Sequence, residues 1–313
     1  MHAHNKTFNN IKIHTQYSIC EGAIKIDELA DYCKIKKIQA IGIADSYNLC
    51  GALEFAEKIS KVGTQPIIGT QVNILSDNHI GKITLYATSE QGYKNLTKLS
   101  SLSYLKNKNS YDSYCEIDDL ILNNEDLILL TGNYTNFFGK LFYTNKTKYF
   151  EKIIEKLKSS FKDRLYLEIQ RHGENQEKNY ENYLLKLSSS YDLPIIAGQE
   201  VYYLDSGMAE AHDALICIGE KKFIDDKNRF RYSNQHYLKT NEEIQKLYKD
   251  IPEALENNYN FPLKFSFKPK KSKPILPSIS SNKNISVENE LMDQAKKGLK
   301  ERLNNFIFKK NKK

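Results

Sequence analysis

Tryptophan is absent from the 313 residues, and no apolar run approaches the roughly 20 residues needed to cross a bilayer. The opening M-H-A-H-N-K-T also lacks the apolar core of a secretion signal, so a cytoplasmic protein without membrane contact is expected. Cysteine is scarce. Cys20, Cys33, Cys50, Cys115 and Cys217 are odd in number and form no C-x-x-C, so neither a disulfide framework nor a zinc ribbon is indicated. Reduced thiols in the cytosol fit that pattern. Proline is rare too, at seven residues. Four of them, Pro262, Pro269, Pro274 and Pro277, gather among lysines and serines up to Lys283, the composition of a linker. An acidic excess is missing: the formal net charge is +7, which permits contact with nucleic acid without establishing it, because lysine also serves solubility. What remains is ordinary for a globular chain, with 40% hydrophobic and 27% charged residues. The length suffices for one large barrel or two ordinary domains.

Seven short apolar strands are expected, at 11–14, 39–44, 66–74, 82–87, within 125–131, at 164–169 and at 193–197. Helices are expected between most of them, near 27–36, 51–61, 90–102, 148–161 and 177–191. Ile153, Ile154, Leu157 and Phe161, for example, recur at helical spacing. Asp27 is the expected N-cap of the first helix. The turn D-N-H-I-G makes strands three and four a hairpin. Strands alternating with helices predict an α/β fold, a seven-stranded (β/α) barrel rather than an open sheet, with its core in 7–205. A mainly helical segment over 206–265 follows, then a Pro/Lys/Ser-rich linker over 266–285. From Ser286 a last helix carries Leu291, Ala295, Leu299 and Leu303 spaced by four, a stripe that needs a partner.

The first two strands each run into a polar cluster: His14, Gln16 and Glu21, then Asp45, Ser46 and Asn48. Polar groups at the C-terminal ends of consecutive parallel strands are how α/β barrels build a site. The earlier pair His2 and His4 precedes the first strand and is assigned to a frayed tail.

The stretch I-K-I-H-T-Q-Y-S-I-C-E-G-A, with Q-A-I-G-I-A-D-S-Y-N-L-C-G-A-L-E-F after it, resembles the PHP (polymerase and histidinol phosphatase) domain that opens the alpha subunit of bacterial DNA polymerase III. Y-L-E-I-Q-R-H-G, A-H-D-A-L-I-C-I-G, D-D-K-N-R-F-R-Y, H-Y-L-K-T and I-P-E-A-L-E-N extend the likeness in the right order, from about Phe8 to about Leu303. The resemblance implies a distorted seven-stranded PHP barrel. It also implies that 286–313 is the start of the next, palm or thumb, region, cut short. No P-D-x-D-x-D occurs, so the palm carboxylates of nucleotidyl transfer are not expected in this chain.

An intact PHP site uses His and carboxylates to hold divalent ions that activate water against a phosphoester. Carried over position by position, the resemblance keeps Glu21, Asp45, His172 and a carboxylate at Glu200, together with His14. It places Lys12 and Lys82 where histidines are usual, Ser46 and Tyr202 at two further histidine positions, Gln71 for a glutamate and Asn133 for a cysteine. An ammonium a few ångströms from a divalent ion repels it. Lys12 and Lys82 are therefore expected to replace the metal and to neutralise Asp45, Glu21 or Glu200. His14 and His172 become hydrogen-bonded core residues. No cofactor is expected; at most a single weakly held Mn, Mg or Zn ion would sit among His14, Glu21, Asp45, His172 and Glu200.

Asn228-Arg229-Phe230-Arg231-Tyr232 interleaves basic and aromatic side chains. Arg229 and Arg231 there either clamp single-stranded nucleic acid or stay wet on a loop that packs Phe230 and Tyr232 inward. By resemblance, the expected role is a scaffold that docks the proofreading exonuclease (epsilon) subunit, joins the remainder of the alpha subunit and meets DNA only indirectly. The expected chain is an N-terminal fragment, or a truncated product, of a DNA-directed DNA polymerase. The rival is a stand-alone metal-dependent PHP phosphoesterase; a remnant without a partner is the third reading.

Overall fold

The computed structural model describes residues 6–106, 113–274 and 285–307. The His2/His4 pair, the polar stretch 107–112, the residues 275–284 and the lysines from Lys309 onward lie outside them. The chain divides into two compact units, Met1–Lys270 and Lys271–Lys313.

The first unit opens with β1 (Lys12–Ile13), α1 (Ile26–Lys36), β2 (Ala40–Ser46) and α2 (Ala52–Lys61). The cap of α1 is not Asp27. Ile26 N donates instead to Gln16 Oε1, 3.0 Å away on the loop after β1. A hairpin follows, β3 (Gln65–Ser76) with β4 (His79–Ala87). Between them Asp77 and Asn78 take φ of 46° and 62°, the left-handed pair that a two-residue turn needs and that Asp and Asn tolerate. Then come α3 (Glu90–Leu105), β5 (Cys115–Glu116), α4 (Ile117–Leu122), β6 (Leu127–Leu130), α5 (Phe137–Tyr143), α6 (Thr147–Phe161), β7 (Leu165–Gln170), α7 (Glu177–Tyr191), β8 (Ile195–Gly198) and β9 (Glu200–Val201).

The strand order is β8-β7-β6-β4-β3-β2-β1-β9, with β5 beside β3. Only Gln199 separates β8 from β9 in the chain, yet they stand at opposite ends of that order, so the sheet curls into a nearly closed barrel. All seven expected strands are present. The two-residue β5 and β9 and the short α4 and α5 are too brief to leave a periodic signal.

Alternation along the strands decides what faces the axis. Ile41, Ile43, Ile68 and Val201 turn outward onto α1 and α2, while Leu127, Leu129, Leu165 and Leu167 join the outer core on the other side. Ala40, Ala44, Ile67, Tyr86, Ile128, Leu130, Tyr166 and Ile196 form the inner set. Glycine opens room where large groups cross the axis: a Cβ at Gly69 would lie 2.4 Å from the Tyr86 ring, and one at Gly198 would lie 2.2 Å from the Glu168 carboxylate.

After β9 the chain wraps back over the barrel through α8 (Ala209–Glu220), α9 (Asn241–Leu247) and α10 (Pro252–Asn260). Phe261 and Phe265 plug the floor, edge-on to Tyr86 at 5.5 and 6.4 Å. Asn258 Nδ2 donates to Asn9 O at 3.0 Å and to Ala197 O at 3.1 Å, and Tyr248 OH donates to Gly198 O at 2.8 Å. Arg171 grips Glu181 on α7 and Asp250 before α10. In the second unit α11 (Val287–Arg302) is capped by Ser286 Oγ, and its Leu291 and Leu299 are exposed. Among the described residues, no helix is long and apolar enough to cross a membrane.

Candidate functional site

Glu200 stands at the centre of the barrel mouth. Pairing of β9 with β1 sets it opposite Lys12. Its carboxylate accepts from Gln71 Nε2 at 2.6 Å and from Asn133 Nδ2 at 3.1 Å, and meets His14 Nε2 at 3.1 Å. Burial opposes its charge, but Lys12 and His14 hold it well below the usual carboxylate range. Lys12 is fully buried and donates to Glu168 Oε2 at 2.5 Å; Gln170 Nε2 donates to the other Glu168 oxygen at 2.7 Å. Lys82 sets its Nζ 2.9 Å from both oxygens of Glu21 and 4.8 Å from the centre of the Tyr47 ring. Ser46 Oγ donates to Glu21 at 2.5 Å. Burial pushes the Glu21 carboxyl up, yet Lys82 and His14 outweigh it and it stays below its ordinary value.

These contacts share one chemistry. At Lys12, Ser46, Gln71, Lys82 and Asn133, where the resemblance implies a histidine, glutamate or cysteine in an intact PHP site, this chain carries donors. Each donates to Glu168, Glu21 or Glu200. Tyr202, the sixth altered position, lays its ring on His14 with centroids 4.4 Å apart.

Asp45 is set apart. It shares the strand face of Ile41 and Ile43, and its carboxylate is taken by Thr15 N at 2.6 Å, Thr15 Oγ1 at 2.8 Å and Ser18 Oγ at 2.7 Å. Burial raises its pKa despite those bonds. Of the three carboxylates expected to receive a lysine, Glu21 therefore takes Lys82, and Asp45 takes neither. Lys12 pairs with Glu168, which stood outside the expected set. The signal for Glu168 was present in L-Y-L-E-I-Q, since alternation puts Tyr166, Glu168 and Gln170 on one strand face. Gln16 and Asn48, from the two polar clusters, serve the backbone: Asn48 Nδ2 donates to Tyr17 O at 2.8 Å.

His14 and His172 are buried and bonded. His14 Nδ1 is 3.1 Å from Ser18 Oγ. His172 Nδ1 is 3.2 Å from Glu177 Oε1, and its Nε2 accepts from Glu200 N at 3.3 Å. His236, not anticipated, stacks on His172 at 3.9 Å with the rings 8° apart. Burial drives His172 down to about 3 and His236 well below its ordinary value, so both are neutral at pH 7.

Arg229 and Arg231 part company. Arg229 forks onto both Asp213 oxygens at 2.5 Å, and its side chain is covered. Arg231 is exposed, with one amino group on Ile224 O at 3.2 Å. Tyr232 packs inward against Tyr202 at 4.6 Å, whereas Phe230 stays 44% exposed. One arginine, not two, is wet, and one aromatic, not two, is tucked in.

A divalent cation needs free lone pairs. Both Glu21 oxygens face an ammonium, the Glu200 oxygens face two amides and an imidazole, and the nitrogens of His14 and His172 are engaged. Among the described residues, no group of three or more His, Cys, Asp or Glu is placed to hold a metal ion. The side chains at this mouth do not fit a metal cluster.

An α/β barrel with a polar mouth built from strand ends defines the class. A family model for the PHP domain matches residues 10–172, just over half of the chain, and the chain belongs to that family. Among curated proteins, the DNA polymerase III subunit alpha of Caulobacter vibrioides is 33% identical over 309 residues, covering 96% of this chain and 27% of that protein. Those of Vibrio cholerae and Buchnera aphidicola are 30% and 34% identical, covering 96% and 95% of this chain and 26% of each relative. The chain spans about a quarter of the length of these relatives. A solved amidohydrolase from Chromobacterium violaceum, with bound sulfate and no metal, aligns at a TM-score of 0.42 and 8% identity, covering 62% of this chain and 87% of that one.

Proposed function

We propose that this chain is the PHP-domain part of a replicative DNA polymerase alpha subunit and works as a scaffold, without hydrolytic chemistry of its own. One observation carries the reading: five altered positions around the mouth all present donors to Glu21, Glu168 and Glu200. Random loss of ligands would leave buried carboxylates unpaired, at a cost of several kcal/mol each. A matched set of donors instead keeps the mouth folded and filled. The likeness to alpha subunits along nearly the whole chain supports the same reading. The partners proposed are the remainder of the alpha subunit and the proofreading exonuclease (epsilon) subunit, with DNA met indirectly.

The test is phosphate release from a generic phosphomonoester by the purified chain with Mn²⁺, run beside primer extension. We expect neither activity. Manganese-dependent release that His14→Ala abolishes would replace the scaffold with the phosphoesterase reading.

A further inference from the structure

We propose that the floor end of the barrel carries a face for the phosphate backbone of double-stranded nucleic acid, formed by the strap 264–270 and the turns that lead into β2 and β3. Its charge begins in the sequence. Residues 257–287 hold six lysines and no carboxylate, and 303–313 hold four more lysines with none. The net charge of the chain is +7, so everything outside those two stretches is net −3. The surplus is therefore local, whereas lysines kept for solubility are interspersed with acids. The structure sets part of the first stretch on a rail. Lys264, Ser266, Lys268 and Lys270 are exposed, Phe265 and Pro269 are buried, and Phe267 is half-buried. A period of two is that of an extended chain. Phe267 packs on Tyr93 with ring centroids 5.5 Å apart, and Ser266 N donates to Thr88 O at 3.2 Å. Gln65 Nε2 donates to Pro262 O at 3.0 Å and to Phe265 O at 3.1 Å, and Thr64 Oγ1 donates to Ile38 O at 2.7 Å. Those bonds join the strap to the turns after α1 and α2, where Lys36, Lys37 and Lys61 are exposed.

Both signs of charge were counted at this end. Lys36, Lys37, Lys61, Lys268 and Lys270 form no ion pair among the described residues, and neither 32–44 nor 58–75 contains a carboxylate. The acids lie on the other flank. Asp163 is 3.8 Å from Lys264, Glu90 is paired with Lys94, Glu256 with Lys6, and Asp126 accepts from Ser89 Oγ. Glu125 is unpaired among the described residues, as are Glu155, Asp192 and Glu253, which share a groove with Lys158 and Lys162. That flank is mixed, and it bounds the cationic face. Each lysine on the face can neutralise one phosphate and release its counterion. Residues two apart on an extended chain stand about 6.6 Å from each other, close to the rise of two nucleotides along one strand of a duplex. Single strands are held by stacking on open rings. The strap offers none, since Phe265 is buried and Phe267 is spent on Tyr93. Contact through ammonium groups alone reads no bases, so the binding is independent of sequence. It is a direct contact, beyond the scaffold reading and not resting on it.

The test is fluorescence anisotropy of a labelled duplex of about 20 base pairs, titrated with the full chain at salt from about 50 to about 200 mM. Binding should weaken with salt at a log–log slope of about −4, as five phosphate contacts require. Lys268→Ala with Lys270→Ala should reduce that slope by about 2, with about a tenfold loss of affinity at the lowest salt. Lys36→Ala, Lys37→Ala and Lys61→Ala together should reduce it by about 2 to 3. Lys148→Ala with Lys152→Ala removes as much charge from exposed sites on α6 as the strap variant does, and should change neither quantity. Circular dichroism and melting temperature identify the folded variants. Four results would each overturn the proposal and leave the scaffold reading standing. They are no duplex binding at about 50 mM salt, binding that both lysine sets leave intact, loss confined to a variant with Lys309, Lys310, Lys312 and Lys313 changed to Ala, and oligothymidylate held more tightly than the duplex. Uptake by phosphatidylglycerol vesicles without duplex binding would overturn it too, and would give the face to a membrane surface.

Discussion

The two ends of this barrel are closed by opposite chemistries. At the floor Tyr86, Tyr166, Phe261 and Phe265 meet edge to face, and the fit is mainly one of shape, with Tyr86 OH donating to Ile11 O at 3.1 Å. At the mouth Lys12, Lys82, Gln71, Asn133 and Ser46 meet Glu168, Glu21 and Glu200, and the matching of donors with acceptors decides it. A floor residue can be exchanged for another of similar volume at small cost. A mouth residue is harder to exchange alone, because each removal takes a donor from a carboxylate, and for Lys12 that carboxylate is fully buried.

The comparison is sharpest at the buried pair. Lys12→Ala strands Glu168 and should cost about 3–5 kcal/mol in urea unfolding, whereas Lys12→Met with Glu168→Leu should recover most of that loss. A single variant costing under about 1 kcal/mol would break the comparison, since the mouth would then behave like a surface. At the floor, Phe261→Ala should cost about 3 kcal/mol through its cavity and Phe261→Leu about 1 kcal/mol.

Acid should act on the mouth and spare the floor. An unfolded histidine binds a proton below about pH 6.5, but folded His172 does so only below about 3. Between those values the unfolded state holds the extra proton, so stability falls as pH drops. Each such histidine contributes a slope of up to about 1.4 kcal/mol per pH unit. The lowered carboxyls of Glu21 and Glu200 act in the same direction: their stabilisation is present above the unfolded pKa and is lost as pH falls through the folded one. His172→Gln should flatten the slope of unfolding free energy against pH by one proton, and an unchanged slope would mean that His172 is not kept neutral. Lys82→Ala, at the partly open Lys82–Glu21 pair, should cost about 1 kcal/mol. Smallest of all, added Mn²⁺ or a chelator should leave the melting temperature unmoved, and a saturable rise with Mn²⁺ would contradict the donor-filled mouth.

Much of this was legible beforehand. The seven strands, the hairpin and the longer helices follow from periodicity and turn residues, because those signals are local. Lys12 and Lys82 were marked by charge type and position as the groups that neutralise Asp45, Glu21 or Glu200, without a choice among the three. Glu168, His236 and the Arg229–Asp213 pair were not: Glu168 lies 156 residues from Lys12, His236 lies 64 from His172, and Arg229 lies 16 from Asp213. The first pairing depends on closure of the sheet and the others on how the chain after β9 folds back, and neither is contained in a short window of sequence.

The amino-acid sequence by itself determined the alternation of strand and helix and the presence of ammonium groups near the strand ends. Only the tertiary structure decided which carboxylate each ammonium would meet. Strand parity turned Asp45 from the axis and Glu168 toward it, and β9 paired with β1 to bring Glu200 beside Lys12 and His14. The physical reason is that a side chain's chemistry is carried by its own residue, whereas its partner is chosen by the register of strands far apart in the chain.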